Sequence, residues 1–135
     1  MTDRKVALIT GSGTGVGAAT ALLLAQQGYN VVINYSRSET EAKASQAACD
    51  VAGADTLLVQ GDVADDAACK AMAQAAIDRW GRLDALINNA GVSSFTGASN
   101  WDVLDMETFA RIYAVNTVGA FQMVRSRWCG PAHRI

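Results

Sequence analysis

Eight consecutive residues, TGSGTGVG from Thr10 to Gly17, carry four glycines and two threonines. They follow a short apolar run and lead into a stretch of helix formers. At such a strand-to-helix junction backbone N–H groups point outward and the helix dipole favours negative charge, so the chemistry on offer is anion binding. Glycines also let the main chain approach a pyrophosphate closely. A plain flexible turn is the competing reading, but such turns commonly need one or two glycines rather than four. A phosphate-loop NTPase is excluded because no Gly-Lys-Ser/Thr ending is present. The GxGxxG dinucleotide fingerprint also fails, because position 16 is Val. What does match is TGxxxGxG, set by Thr10, Gly11, Gly15 and Gly17, with Gly13, Thr14 and Val16 between them.

Four other places carry polar chemistry. GDV places Asp62 and Val63 after an apolar run, where a bare Asp also reads as a turn or cap residue. NNAG, Asn88 to Gly91, ends another apolar run, where Asn side chains often satisfy strand-end backbone groups. VNTVG puts Asn116 inside a helical pattern at a small loss of propensity, which invites a reason. INYSRSET offers Ser36 and Arg37 with no acid before Glu39.

The elements that must position these residues alternate. KVALIT (Lys5 to Thr10), NVVINY (Asn30 to Tyr35), DTLLVQ (Asp55 to Gln60) and LDALINNAG read as buried strands. Between them lie VGAATALLLAQQ, SETEAKASQAACDVA and DDAACKAMAQAAIDRW, closed by Gly28, Gly53 and Gly81. Ser38 and Glu41 have the spacing of a capping box. A looser stretch precedes a fourth helix from about Asp105 onward. This rhythm implies right-handed βαβ crossovers and a parallel sheet.

TGxxxGxG, then Asp62-Val63, then NNAG, then VNxxG, in this order and on these elements, resembles the short-chain dehydrogenase/reductase family. The chain is similar to its 3-oxoacyl-acyl-carrier-protein reductase-like members over Met1 to roughly Arg125. The resemblance implies an α/β Rossmann-like doubly wound parallel sheet. The chain would hold its βαβαβαβα portion, strand order 3-2-1-4, truncated before strand 5. It also implies NAD(P)-dependent hydride transfer to or from a small carbonyl or alcohol substrate. In that frame Asp62 meets the adenine amino group and Val63 packs on the ring. Asn89, Ala90 and Gly91 line the cofactor ribose. Asn116 bends the helix and holds a water in a proton relay. An acid at the end of the second strand would select NAD; Ser36 and Arg37 suit a 2′-phosphate, so NADP is favoured and NAD is the alternative. No basic residue stands in the glycine turn, as it does in many NADP-preferring relatives.

The family's Tyr-x-x-x-Lys pair is missing. Four residues beyond Tyr29, Tyr35 and Tyr113 stand Ile33, Glu39 and Thr117, and the last lysine is Lys70. Residues 1–125 are therefore expected to form an incomplete dinucleotide-binding domain and 126–135 a divergent tail, in a chain that does not catalyse efficiently by itself. Trp128, Cys129 and His133 read as part of that tail rather than as a metal or nucleophile cluster. Rival readings are a non-catalytic binding module and a truncated remnant. An unpaired fourth strand and an exposed fourth helix point to self-association.

Composition narrows the rest. Of 135 residues half are hydrophobic, enough for a core, and the net charge of −2 argues against nucleic acid. Cys49, Cys69 and Cys129 are odd in number and show no CxxC, against a disulfide framework or zinc. No apolar run approaches a membrane span. A cytoplasmic protein is the expectation.

Overall fold

The computed structural model describes residues 2–97 and 99–128, so most of the expected tail, Cys129 and His133 included, lies outside the described residues. Strands and helices alternate: β1 Val6–Ile9, α1 Gly15–Gln26, β2 Asn30–Tyr35, α2 Glu39–Val51, β3 Thr56–Gln60, α3 Asp66–Trp80 and β4 Ala85–Ile87. After a short 3₁₀ turn at Trp101–Val103 comes α4, Met106–Tyr113. A π-helical segment, Ala114–Gly119, joins it to α5, Ala120–Trp128.

All strand pairings are parallel, in the order β3-β2-β1-β4. Ala7 lies opposite both Val31 and Ala85, and Ile9 opposite Ile33 and Ile87. Because side chains alternate across a strand, this register sorts the core into two layers. Val6, Leu8 and Val32 pack with Met72, Ala76 and Trp80 of α3 and with Val115 and Met123. Ala7, Ile9, Val31 and Ile33 pack with Ala21 and Ala25 of α1 and with Cys49 of α2. With both faces covered, β1 is apolar throughout and fully buried. Truncating Leu8 or Ile33 to Ala would cost about 2–5 kcal/mol.

The helix ends follow local chemistry. Gly28, Gly53 and Gly81 take φ of 87°, 91° and 75°, matching their expected role after α1, α2 and α3. Asp65 caps α3 by accepting from Ala67 N at 2.9 Å, and Asp105 caps α4 through Thr108 N at 2.8 Å. Ser38 does stand at the α2 N-cap, but its side chain makes no capping hydrogen bond. Its ψ of 69° departs from the extended geometry that turns a cap oxygen onto the first-turn amides.

The thiols of Cys49 and Cys69 are free and buried. Burial, helped by Asp66, Asp65 and Asp62, pushes Cys69 up to about 11. No cluster of metal-ligating side chains occurs among the described residues. No described helix is long and apolar enough to cross a membrane.

Candidate functional site

Four loops leave the carboxyl ends of the four strands on one edge of the sheet, and they enclose a cleft of about 430 Å³. In an open parallel sheet this is where ligands bind, at the point where strand order reverses. Here that point lies between β1 and β4, because β2 and β3 lie on the other side of β1.

The glycine turn forms one wall. Gly11, Gly13, Thr14, Gly15 and Val16 line the cleft. α1 starts without a side-chain cap and with no acid in its first turn. Its leading N–H groups therefore have no internal anion, in contrast to the aspartate-capped α3 and α4. Gly17 does not line the cleft; it is buried, and an added Cβ would lie 2.5 Å from Asn89 Nδ2. Its smallness lets α1 close against the opposite loop.

Thr10 also lies behind the wall, 1% exposed. Its hydroxyl oxygen accepts from the N–H groups of Asn89 and Ala90, each at 3.0 Å. The Asn89 amide donates to the carbonyls of Thr10 and Gly11, each at 3.0 Å. The loops after β1 and β4 are thus stitched together, and Asn89, Ala90 and Gly91 face the cleft. Asn88 turns the other way and donates to Ala120 O at 3.3 Å.

Asp62, Val63, Ser36 and Arg37 line the far end. Partial burial pushes the Asp62 carboxyl up, but the Ala64 N–H, the Arg111 guanidinium and the charge of Arg37 outweigh it and hold the group below the ordinary carboxylate value. Asp62 is thus an ionised acceptor at neutral pH. Val63 is fixed from behind: its carbonyl accepts from Gln122 Nε2 at 2.7 Å, and a Cβ at Gly119 would meet Val63 Cγ2 at 2.5 Å.

Asn116 sits in the π-helical segment and does not line the cleft itself. It reaches the cleft's rim through Val92, whose N–H donates to Asn116 Oδ1 at 2.8 Å and whose carbonyl accepts from Nδ2 at 2.9 Å. π turns occur often at functional positions.

Two residues that motif spacing misses matter here. Asn34, 2% exposed at the end of β2, accepts from Gly11 N at 3.0 Å and donates to Gly61 O at 3.1 Å. It joins the glycine turn to the loop after β3, and a polar residue inside the apolar NVVINY was its only signal. Arg111 of α4 enters the cleft and pairs with Asp62 Oδ2 at 2.7 Å. A helical arginine gives no sequence sign of a partner so distant.

A profile of the short chain dehydrogenases matches residues 5–128. Elsinochrome reductase 1 of Elsinoe fawcettii is 40% identical over 93% of this chain and 46% of its own length. A crystal structure of a short-chain dehydrogenase/reductase from Burkholderia xenovorans aligns with a TM-score of 0.90 at 39% identity, over 96% of this chain and 53% of that one. An NAD⁺-bound xylitol dehydrogenase aligns with a TM-score of 0.82 at 28% identity, over 93% of this chain and 47% of that one. The chain therefore spans about half the length of these relatives. On the match over residues 5–128 and a parallel sheet of order β3-β2-β1-β4, it belongs to the short chain dehydrogenase family.

Proposed function

We propose that this chain forms the nicotinamide-dinucleotide site of an NAD(P)-dependent oxidoreductase acting on a small carbonyl or alcohol. One observation carries the reading: the uncapped N-terminus of α1 opens, through a glycine turn, into the cleft between the ends of β1 and β4. Space matters as well as charge: a Cβ at Gly11 would lie 3.0 Å from Ala90 Cα, so glycine there lets the two loops approach closely.

In this reading Gly11, Gly13, Thr14, Gly15 and Val16 hold the pyrophosphate, with Thr10 and Gly17 bracing them. Asp62 accepts from the adenine amino group and Val63 packs on the ring. Asn89, Ala90 and Gly91 line the ribose next to the nicotinamide. Ser36 and Arg37 favour a 2′-phosphate, hence NADP over NAD. When bound, the dinucleotide supplies or takes up the hydride. Asn116 is the relay residue that holds a water near the reacting end.

Within these 135 residues no tyrosine is followed four positions later by lysine, so proton transfer to the substrate is assigned to residues outside them. The same fact favours a second reading, in which residues 1–125 act as a binding domain without turnover. Exposed Met106, Phe109, Tyr113 and Phe121 along α4 and α5 support self-association. Buried, unpaired Cys49 and Cys69 accord with a cytoplasmic setting.

Calorimetric titration of the chain with NADP⁺ and NAD⁺ tests the proposal. Saturable binding, tighter for NADP⁺, is expected. No binding of either would remove it.

A further inference from the structure

We propose that Arg111 is a positioning residue for adenine recognition: it aims the Asp62 carboxylate into the cleft. This rests on the dinucleotide reading above and adds a residue to it. The two side chains come from separate elements, the loop after β3 and the second turn of α4, and meet at 2.7 Å. Asp62 Oδ1 is held by Ala64 N at 2.9 Å and Oδ2 by Arg111 Nη1. A carboxylate has about four acceptor positions, so two held positions orient the group and leave room for a ligand amine. With the backbone bond alone, the carboxylate could swing about that one contact. A guanidinium on the second oxygen removes the freedom, and its rigid planar fork suits that task better than a mobile ammonium. The helix that carries Arg111 is itself fixed at its start, where Asp105 accepts from Thr108 N.

The consequence is confined to ligands that carry an amino group on the base. The test uses the 135-residue chain with two probes, NADP⁺ and its hypoxanthine counterpart, in which a carbonyl oxygen replaces the adenine amine. Dissociation constants are measured for the parent, Arg111→Met, Arg111→Lys and Asp62→Asn, with circular dichroism reporting the fold of each. Arg111→Met is expected to weaken NADP⁺ about fivefold, to leave the hypoxanthine dinucleotide unchanged, and to be partly restored in Arg111→Lys. Equal weakening of both probes would make Arg111 merely structural and overturn the inference. So would an unchanged or tighter NADP⁺ constant, the latter marking Arg111 as a competitor for Asp62. If the parent chain and Asp62→Asn fail to distinguish the probes, the assignment of Asp62 to adenine falls, and the inference with it. If neither probe binds the parent, the dinucleotide reading itself fails.

Discussion

Asn116 and Val92 exchange two hydrogen bonds, one in each direction, so that a helix side chain pairs with a loop backbone as a neighbouring strand would. The loop after β4 is thereby tied to the π-helical segment between α4 and α5. Removing the pair by Asn116→Ala loses about 1 kcal/mol of hydrogen bonding but recovers part of it in helix propensity. Global stability is therefore expected to change by less than about 1 kcal/mol, while the Val92 amide exchanges markedly faster. Hydrogen exchange resolved at Val92 checks this; an unchanged rate would show the pairing does not persist in solution.

Gly15 and Gly17 are expected to respond differently to the same added methyl group. At Gly15 the φ is 55° and no atom lies within 4 Å, so Gly15→Ala carries only backbone strain of about 1 kcal/mol. At Gly17 the methyl group collides with Asn89 Nδ2 and Ser12 Cα, adding about 1–3 kcal/mol of overpacking and forcing the two loops apart. Urea denaturation of both variants should rank Gly17→Ala as the less stable.

Arg37 lines the cleft beside Ser36. If it meets a 2′-phosphate, Arg37→Ala should weaken NADP⁺ about tenfold and leave NAD⁺ nearly unchanged. Parallel titrations decide it: an equal loss for the two cofactors would assign Arg37 to the adenine ring or to the general field of the cleft.

The acid limb of stability should be governed by paired aspartates. The Asp55 carboxyl is held below its ordinary value chiefly by the Arg79 guanidinium, against the opposing effect of burial and with help from the Trp80 indole N–H. The Arg82 guanidinium does the same for Asp84, again against burial and with help from the Val6 N–H. A carboxyl lowered on folding stabilises the chain above the unfolded-state value of about 3.9 and loses that contribution as pH falls through the folded-state value. Stability is expected to hold above about pH 4 and to decline below it. Asp55→Asn should flatten the decline, measured as the urea midpoint against pH.

Much of this arrangement was legible in the sequence because local rules wrote it. Apolar runs marked β1 and β2, glycines marked the ends of three helices, and TGxxxGxG marked the turn. VNTVG singled out Asn116 because a polar residue stood inside a helical pattern, and the helix does change geometry there. The strands at β3 and β4 are shorter than their expected runs: Asp55 and Asp84 stand just before them, each still sharing a backbone hydrogen bond with the neighbouring strand, at Val31 and Val6, while their carboxylates meet Arg79 and Arg82. What spacing could not supply were long-range partners. Asn34 and Arg111 acquire their roles only when Gly61 and Asp62 are brought beside them, and Ser38 fails as a side-chain cap through one backbone angle.

The π-helical segment between Arg111 and Gln122 also acts as a setting of angular phase. Each residue of a helix turns the chain by about 100°, and a π turn is in effect one residue inserted into the α-helical ladder. Gln122 and Gly119 lock the far side of the insert onto Val63. A π turn winds each residue through a smaller angle, so the segment carries its extra residue without rotating α4 relative to that lock. Arg111 thereby keeps the phase that meets Asp62. Deleting one residue, such as exposed Thr117, would let the segment close into a plain α-helix with that phase kept, at the loss of the wide turn that carries Asn116.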